Sequence, residues 1–421
     1  MGQSRRLVVV DPGLSSPVGH HADLNRELLP ALAADGWETE VWADAACLDL
    51  GEAFRLAGLR AVLREAGYID PRHWCDLQGS LHQARLLHPQ LQEAAAGPPV
   101  AAWLAHSLLP FQLIGLAQLL QRQPPARVVV SLMFAPGEVF AGQQDHDLRD
   151  LRLAAEACSR AALAALAVAC ERGAHQLVLG AGSRQLMERY APLCAASGLP
   201  AVLLHPAVVA AAPQPPGALG ASAAGPRILL HWGERKPDKG RELALAVLAQ
   251  LLQGEHLPAA LQRASWCFHA AGSSLNPGER ELIEQLQALP AVTVLEGPIA
   301  RSSMEAQLGS CDLALLPYCP LAYAERSSGI LWLYASARLS QGQAARVVGC
   351  RGGWLEREAR DLNLGWQALP ADATGQQALQ AIADGLAADP GAAGLNGYAR
   401  ELFGQGFGSW LADRIGADNL S

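Results

Sequence analysis

Short apolar runs alternate along this chain with longer stretches whose apolar residues recur every three or four positions. The runs Leu7–Val10, Thr39–Trp42, Val100–Ala105, Val128–Leu132, Leu177–Leu179 and Ala201–Leu204 have the length of strands, and their mostly unbroken apolar character fits strands covered on both faces. Between them lie helical patterns at Asp23–Ala34, Leu77–Ala94, Leu148–Cys170 and Arg184–Ala195. From 207 to 226 the chain turns to Ala, Pro and Gly with almost no charge, which marks a linker. The alternation then restarts. Strands are expected near Ile228–His231, Trp266–Ala270, Val292–Leu295, Leu313–Leu316 and Val347–Val348. Helices are expected near Glu242–Leu252, Glu279–Ala288, Met304–Gly309, Gly329–Ala337, Leu355–Leu362 and Gln376–Ala387. The pattern predicts an α/β protein of two doubly wound, Rossmann-like domains facing each other across a cleft, at residues 1–206 and 227–395. Helices in 396–421 are expected to pack back toward the first domain.

Ligands of doubly wound sheets sit at the carboxyl ends of strands, so the loops after the runs carry the functional reading. The first is Leu229-Leu230-His231-Trp232-Gly233-Glu234-Arg235-Lys236-Pro237-Asp238-Lys239-Gly240, followed by a helical pattern from Arg241. Gly233 lets backbone N–H groups approach an anion, Arg235 and Lys239 supply charge, and the helix start adds the positive end of its dipole. No Lys-Ser/Thr pair follows the glycines, so this is not a Walker A loop, and it is not a GxGxxG fingerprint. Taken alone it fits a charged surface turn equally well. The second loop is Pro317-Tyr318, then Tyr323-Ala324-Glu325-Arg326-Ser327-Ser328-Gly329 before the apolar run from Ile330. Ser327 and Ser328 are placed to cap that helix, and with Arg326 and the Gly329 amide they make a second anion cradle. Two cradles in one domain suggest a diphosphate.

At 421 residues and 50% hydrophobic content the chain is long enough for two cores. Its net charge of −8 argues against nucleic acid as a main partner. The nine Cys show neither CxxC pairs nor zinc spacing, which fits small core residues in a reducing compartment and implies no structural metal. The Leu7–Val10 run is too short for a signal segment, so a cytoplasmic location is expected. Peripheral membrane contact stays open through apolar helices such as Leu108–Leu120. Asp145-His146-Asp147 is the sole formal Asp-x-Asp match and reads better as a helix start than as a diphosphate metal site.

On these residues, the segment from about Arg227 to Leu364 resembles the nucleotide-sugar domain of GT-B glycosyltransferases, in particular the retaining family 4 group. That group has a strand, a Gly-bounded basic loop ending in Lys-Gly, and a helix. The P-Y…Y-x-x-R-x-S-G pattern of Pro317, Tyr318, Tyr323, Arg326, Ser328 and Gly329 resembles one of its subgroups. Pro17-Val18-Gly19-His20-His21 resembles its acceptor-side loop, and His205-Pro206 the segment leading into its hinge. The resemblance implies a sugar–nucleoside diphosphate donor whose diphosphate is held by Arg235, Lys239, Ser327, Ser328 and Gly329, with Gly233, Glu325 and Arg326 beside it. It also implies that His106 lines the cleft against the transferred sugar, while Gly19, His20 and His21 face a glycan, lipid-linked or small-molecule acceptor. Catalysis would need neither cofactor nor metal, and polysaccharide biosynthesis is the expected setting. Two departures stand out. The Glu that holds the donor ribose in the family is replaced by Leu333 or Tyr334, and the Gly-x-Pro-Val-Val strand by Gly342-Gln343-Ala344-Ala345-Arg346-Val347-Val348. A catalytically degenerate binding or partner subunit, or a UDP-sugar 2-epimerase, are the alternative readings.

Overall fold

The apolar runs of the first half become neighbouring strands of one parallel sheet. The structure is a computed structural model that describes residues 5–16, 19–47, 58–64, 75–138, 148–210, 225–233, 236–253, 257–270, 276–297 and 299–416. The chain divides into one unit of Met1–Val208 with Gly404–Ser421 and a second of Val209–Phe403.

In the first unit the order is β1 (Arg5–Asp11), α1 (His20–Ala34), β2 (Trp37–Asp44), β3 (Leu59–Leu63), α2 (Leu77–Ala94), β4 (Ala102–His106), α3 (Pro110–Leu120), β5 (Arg127–Leu132), α4 (Leu148–Gly173), β6 (Gln176–Ala181), α5 (Arg184–Ala196) and β7 (Val202–Leu204). The seven strands lie in the order β3-β2-β1-β4-β5-β6-β7, all pairs parallel. Every residue of β4 is buried, as the two-sided reading requires. Local signals set the helix starts. Asp76 caps α2 by accepting from the Gln78 and Gly79 amides, and Pro110 opens α3 where its missing N–H costs nothing. Asp150–Gly173 is long and apolar enough to cross a membrane by length and composition alone. Yet Ala162, Leu163, Leu166 and Ala169 of that helix pack into the unit's own core with Leu113, Leu116 and Leu120 of α3.

The second unit runs β8 (Arg227–His231), α6 (Arg241–Gln253), β9 (Ser265–Ala270), α7 (Pro277–Gln287), β10 (Val292–Glu296), α8 (Arg301–Gly309), β11 (Leu313–Leu316), α9 (Gly329–Leu339), β12 (Arg346–Cys350), α10 (Trp354–Asp361), β13 (Gly365–Leu369), α11 (Gly375–Ala387) and α12 (Gly397–Phe403). Its parallel sheet has the order β10-β9-β8-β11-β12-β13. Ile228, Leu230, Trp266, Phe268, Leu313 and Leu315 meet Ala244, Val247 and Leu248 of α6 and Ile283 of α7 in one core. The last helix, α13 (Phe407–Ile415), belongs to the first unit, whereas α12 stays with the second.

Two strands escaped the apolar-run reading, β3 and β13, and both are edges. Their residues are largely half-buried, so Arg60 and Gln367 are tolerated and no unbroken apolar run forms. Of the linker, residues 211–224 lie outside the described residues. In each sheet the strand order reverses once beside its first strand, between β1 and β4 and again between β8 and β11. Those reversals are where doubly wound sheets open a crevice.

Candidate functional site

At the reversal of the second sheet, β8 ends in His231 and the chain passes Gly233 into a short 3-10 turn, Pro237–Lys239, before α6 starts at Arg241. Gly240 joins the turn to the helix with a φ of 64°, and a Cβ there would lie 2.5 Å from the Pro317 carbonyl oxygen. Both the backbone angle and the space demand glycine. This close approach brings the β8 loop onto the loop after β11. The two are bonded together: the Cys319 N–H donates to the Asp238 carbonyl at 2.9 Å, and the Arg326 guanidinium meets the buried Asp238 carboxylate at 2.8 Å. Arg326 also lies 5.4 Å over the Tyr323 ring, which packs 4.5 Å from Tyr318. Burial pushes the Tyr318 phenol up to about 12, so it stays a neutral hydroxyl.

Two helix starts flank these loops. Ser328 caps α9, its hydroxyl accepting the Leu331 N–H at 3.2 Å. Ser327 is half-buried and takes no part in the cap, which narrows the expected pair of capping serines to one. Lys239 Nζ lies 3.7 Å from where a Cβ of Gly233 would stand. Behind it His231 is held down to about 3, chiefly by burial and then by Lys239 and Arg241. A neutral imidazole, neighbouring cations and two helix N-termini make this a place that favours an anion. Glu325 is half-buried and Gly329 opens α9, while Arg235 lies outside the described residues. Asp238 was missed, although an acidic residue inside an otherwise cationic loop is the signal that could have found it. It ties Arg326, which the sequence placed toward the anion, to the other loop.

Leu333 and Tyr334 are the residues that the resemblance to family 4 sets at its ribose-binding position. Leu333 and Tyr334 are buried, and the Tyr334 hydroxyl donates to the Arg346 carbonyl at 3.0 Å while accepting the Arg346 N–H at 3.1 Å. Tyr334 therefore anchors α9 to β12.

At the reversal of the first sheet, β1 ends in the fully buried Asp11. His21 Nδ1 lies 2.6 Å from one of its oxygens and the Asn25 amide donates to the other at 2.7 Å. Burial by itself would raise the Asp11 carboxyl, but the charge and hydrogen bond of His21, with help from His106 and Asn25, hold it at about 2. Gly13 makes this pairing possible, since a Cβ there would stand 2.2 Å from the His21 ring. The expected acceptor-side trio thus separates. His21 is buried and paired, His20 is exposed, and Gly19 precedes α1 with a φ of 100°. Pro17 and Val18 lie outside the described residues.

His106 ends β4, fully buried, its ring 5.5 Å from that of His21. Its Nδ1 is 3.2 Å from Ser131 Oγ and its Nε2 is 3.0 Å from Ser107 Oγ. Ser131 Oγ is in turn 3.0 Å from His205 Nε2, and His205 Nδ1 is 2.8 Å from the Pro206 carbonyl oxygen. Phe407 and Trp410 of α13 cover His205 at 5.1 and 5.5 Å between ring centres. Burial holds His106 at about 3 and His205 at about 4, so both rings are neutral. Ser107 sits at the strand end with a φ of 56°, an unusual angle for a residue with a side chain. Asp11, Ser131 and His205 were not singled out as site residues from sequence, because β1, β5 and β7 place them together only in three dimensions. Among the described residues no three His, Cys, Asp or Glu gather as a metal site, and Asp145-His146-Asp147 lies outside them.

No family model and no curated protein sequence matches the chain. Solved structures do. A Listeria monocytogenes protein described as a UDP-N-acetylglucosamine 2-epimerase aligns over 94% of this chain and 94% of its own, with a TM-score of 0.53 and 11% identity. An alpha,alpha-trehalose 6-phosphate synthase of Burkholderia multivorans aligns over 98% and 93%, with a TM-score of 0.53 and 13% identity. The N-terminal domain of a Candida albicans trehalose-6-phosphate phosphatase aligns over 98% and 93%, at 0.52 and 12%. The fold is GT-B. The resemblance to family 4 rests on the loop residues alone, since these likenesses extend to the GT-B architecture and no further. Within this GT-B chain the two strand-order reversals hold the two candidate clusters, the Asp238–Lys239–Arg326–Ser328 loops in one unit and the Asp11–His21–His106 group in the other.

Proposed function

We propose that the protein is a glycosyltransferase that takes a sugar from a nucleoside diphosphate donor and passes it to a hydroxyl of a glycan, lipid-linked or small-molecule acceptor. The observation that carries this reading is the joining of the β8 and β11 loops at the strand-order reversal, which sets Lys239 and the α9 N-terminus beside one another's loops. Breaking a sugar–diphosphate bond leaves negative charge on the departing phosphate, and preorganised N–H groups and cations stabilise that charge most in the transition state. In this reading Lys239, Ser328 and the Gly329 amide hold the diphosphate, with Arg235 and Ser327 beside them. Arg326 acts through Asp238 to keep the two loops in register. His106, through the Ser107 hydroxyl bonded to its Nε2, is the group set to act on the transferred sugar, without a metal. A second reading, a GT-B chain that binds a sugar nucleotide without turning it over, is favoured by one observation: Tyr334 stands near the family's ribose carboxylate position and spends its hydroxyl on Arg346.

The test is calorimetric titration with UDP, GDP and ADP, followed by release of nucleoside diphosphate from the matching sugar nucleotides. Binding of one nucleotide with slow release of its sugar is the expected result. Binding without release supports the second reading, and binding of none of the three sinks both.

A further inference from the structure

One carbonyl oxygen sets the direction of every hydrogen bond in the chain that runs from Pro206 to Ser107. The Pro206 oxygen can only accept, so His205 Nδ1, 2.8 Å away, carries a hydrogen. A neutral imidazole has one N–H, which leaves His205 Nε2 bare. Ser131 Oγ, 3.0 Å from that nitrogen, must donate to it, and a hydroxyl has a single hydrogen. Its oxygen therefore turns lone pairs toward His106 Nδ1 at 3.2 Å, and that nitrogen carries the hydrogen. His106 Nε2 is then bare and accepts from Ser107 Oγ at 3.0 Å. No other assignment satisfies all four contacts with neutral rings.

We propose that His205 and Ser131 are positioning residues that lock His106 as its Nδ1–H tautomer, so that the chain runs one way and ends at Ser107 as a hydrogen-bond acceptor. The histidine side chain in water favours the opposite, Nε2–H form, so the lock works against the ring's own preference. Its surroundings supply the means. The register places His106 directly opposite Ser131 across β4 and β5. His205, just past β7, is sealed under Phe407 and Trp410. Gly180 and Gly182 line its other side: a Cβ on Gly180 would come within 2.8 Å of the His205 ring. Of the remaining neighbours, Asp11 on β1 and His21 on α1 lie beside His106 and are held to one another, His21 Nδ1 2.6 Å from the Asp11 carboxylate. A group that meets Ser107 must then give a hydrogen, as a sugar hydroxyl does and an ionised phosphate oxygen does not. The role for substrate rests on the glycosyltransferase reading, but the tautomer does not.

The experiment is a long-range proton–nitrogen correlation spectrum of the full chain labelled with 15N-histidine at neutral pH, which reports which ring nitrogen carries hydrogen. His106 and His205 should both appear protonated at Nδ1 and bare at Nε2. In Ser131→Ala, His106 should revert to the Nε2–H form while His205 stays as it was, and Ser131→Thr, which keeps a hydroxyl, should restore the parent pattern. His205→Phe makes no change at a residue bonded to His106, yet it should free the Ser131 hydroxyl to turn and reverse His106 as well. This second variant keeps the test alive should Ser131→Ala fold poorly. An Nε2–H form of His106 in the parent, or an unchanged His106 in His205→Phe, overturns the proposal. Because no substrate is used, that failure is separate from a failure of the proposed activity.

Discussion

The two sheets share one topological device and fill it with opposite chemistry. Where β8 meets β11, the loops bring Lys239 and two helix N-termini together beside the buried carboxylate of Asp238, which is already committed to Arg326. Where β1 meets β4, the cluster is made of neutral imidazoles and hydroxyls around one buried carboxylate committed to His21. The first arrangement suits a ligand that arrives charged. The second suits hydroxyl groups, for which directed hydrogen bonds discriminate better than net charge. Strand order alone thus creates the place, and the residues that end the strands decide what it can bind.

The comparison is broken most forcefully at His106. His106→Ala should lower turnover by about 10²–10⁴-fold, the scale of a positioned catalytic group, and leave nucleotide affinity near the parent value. An equal loss of both, seen by calorimetry beside initial rates, would erase the division of labour between the clusters.

Acid should separate the units next. The folded pKa of His205 lies near 4 and that of His106 near 3, both below the ordinary 6.5, because burial penalises the charged ring. Stabilisation from such groups is whole above the unfolded value and is lost as pH falls toward the folded one, about 3 kcal/mol for His205 alone by pH 4. Asp11 adds a loss in the same direction between 3.8 and about 2. The second unit carries one such ring, His231, with a smaller effect at His269, against the two of the first unit. Hydrogen exchange at pH 7 and pH 4.5 should show the first unit opening before the second, and the reverse order would contradict the assignment of these rings as neutral.

A smaller effect sharpens the anion side. Lys239→Ala should weaken nucleoside diphosphate binding by about 1.5–3 kcal/mol, the range for a charged hydrogen bond. Ser328→Ala should cost less, about 1 kcal/mol of helix stability through the lost cap. Parent-like affinity in Lys239→Ala would move the diphosphate elsewhere. Least of all, EDTA should change neither affinity nor turnover, and activity restored by added Mn²⁺ would call for a metal site among carboxylates assigned here to structure.

Much of this was legible in the chain. The apolar runs gave the buried strands because a strand covered on both faces cannot hide its composition, and Gly240 with Arg241 marked a helix start directly. β3 and β13 were hidden because their residues are largely half-buried, so that Arg60 and Gln367 break the apolar run. The β8 and β11 loops are each continuous in sequence, so Lys239, Ser328 and Gly329 could be named as candidates from spacing. The imidazole cluster is different: Asp11, His106, Ser131 and His205 lie at or next to the ends of four different strands, and no spacing connects them. His21 and His20 looked alike as neighbours, and only the Asp11 carboxylate tells them apart. The resemblance suggested that Leu333 or Tyr334 stands where a ribose carboxylate would, and a buried hydroxyl that bridges the Arg346 backbone could not be read from spacing.

Trp410 and Phe407 give the order of synthesis a meaning. The sheet of the first unit is complete in sequence by Leu204, but the aromatic lid over His205 is encoded after the whole second unit, roughly 200 residues later. At about 5–20 residues per second, the ribosome delivers that lid about 10–40 s after the last strand it covers. Until then the aromatic rings that lie against His205 and Gly180 do not exist, so the cover over the buried hydrogen-bond chain is completed only when α13 emerges and docks.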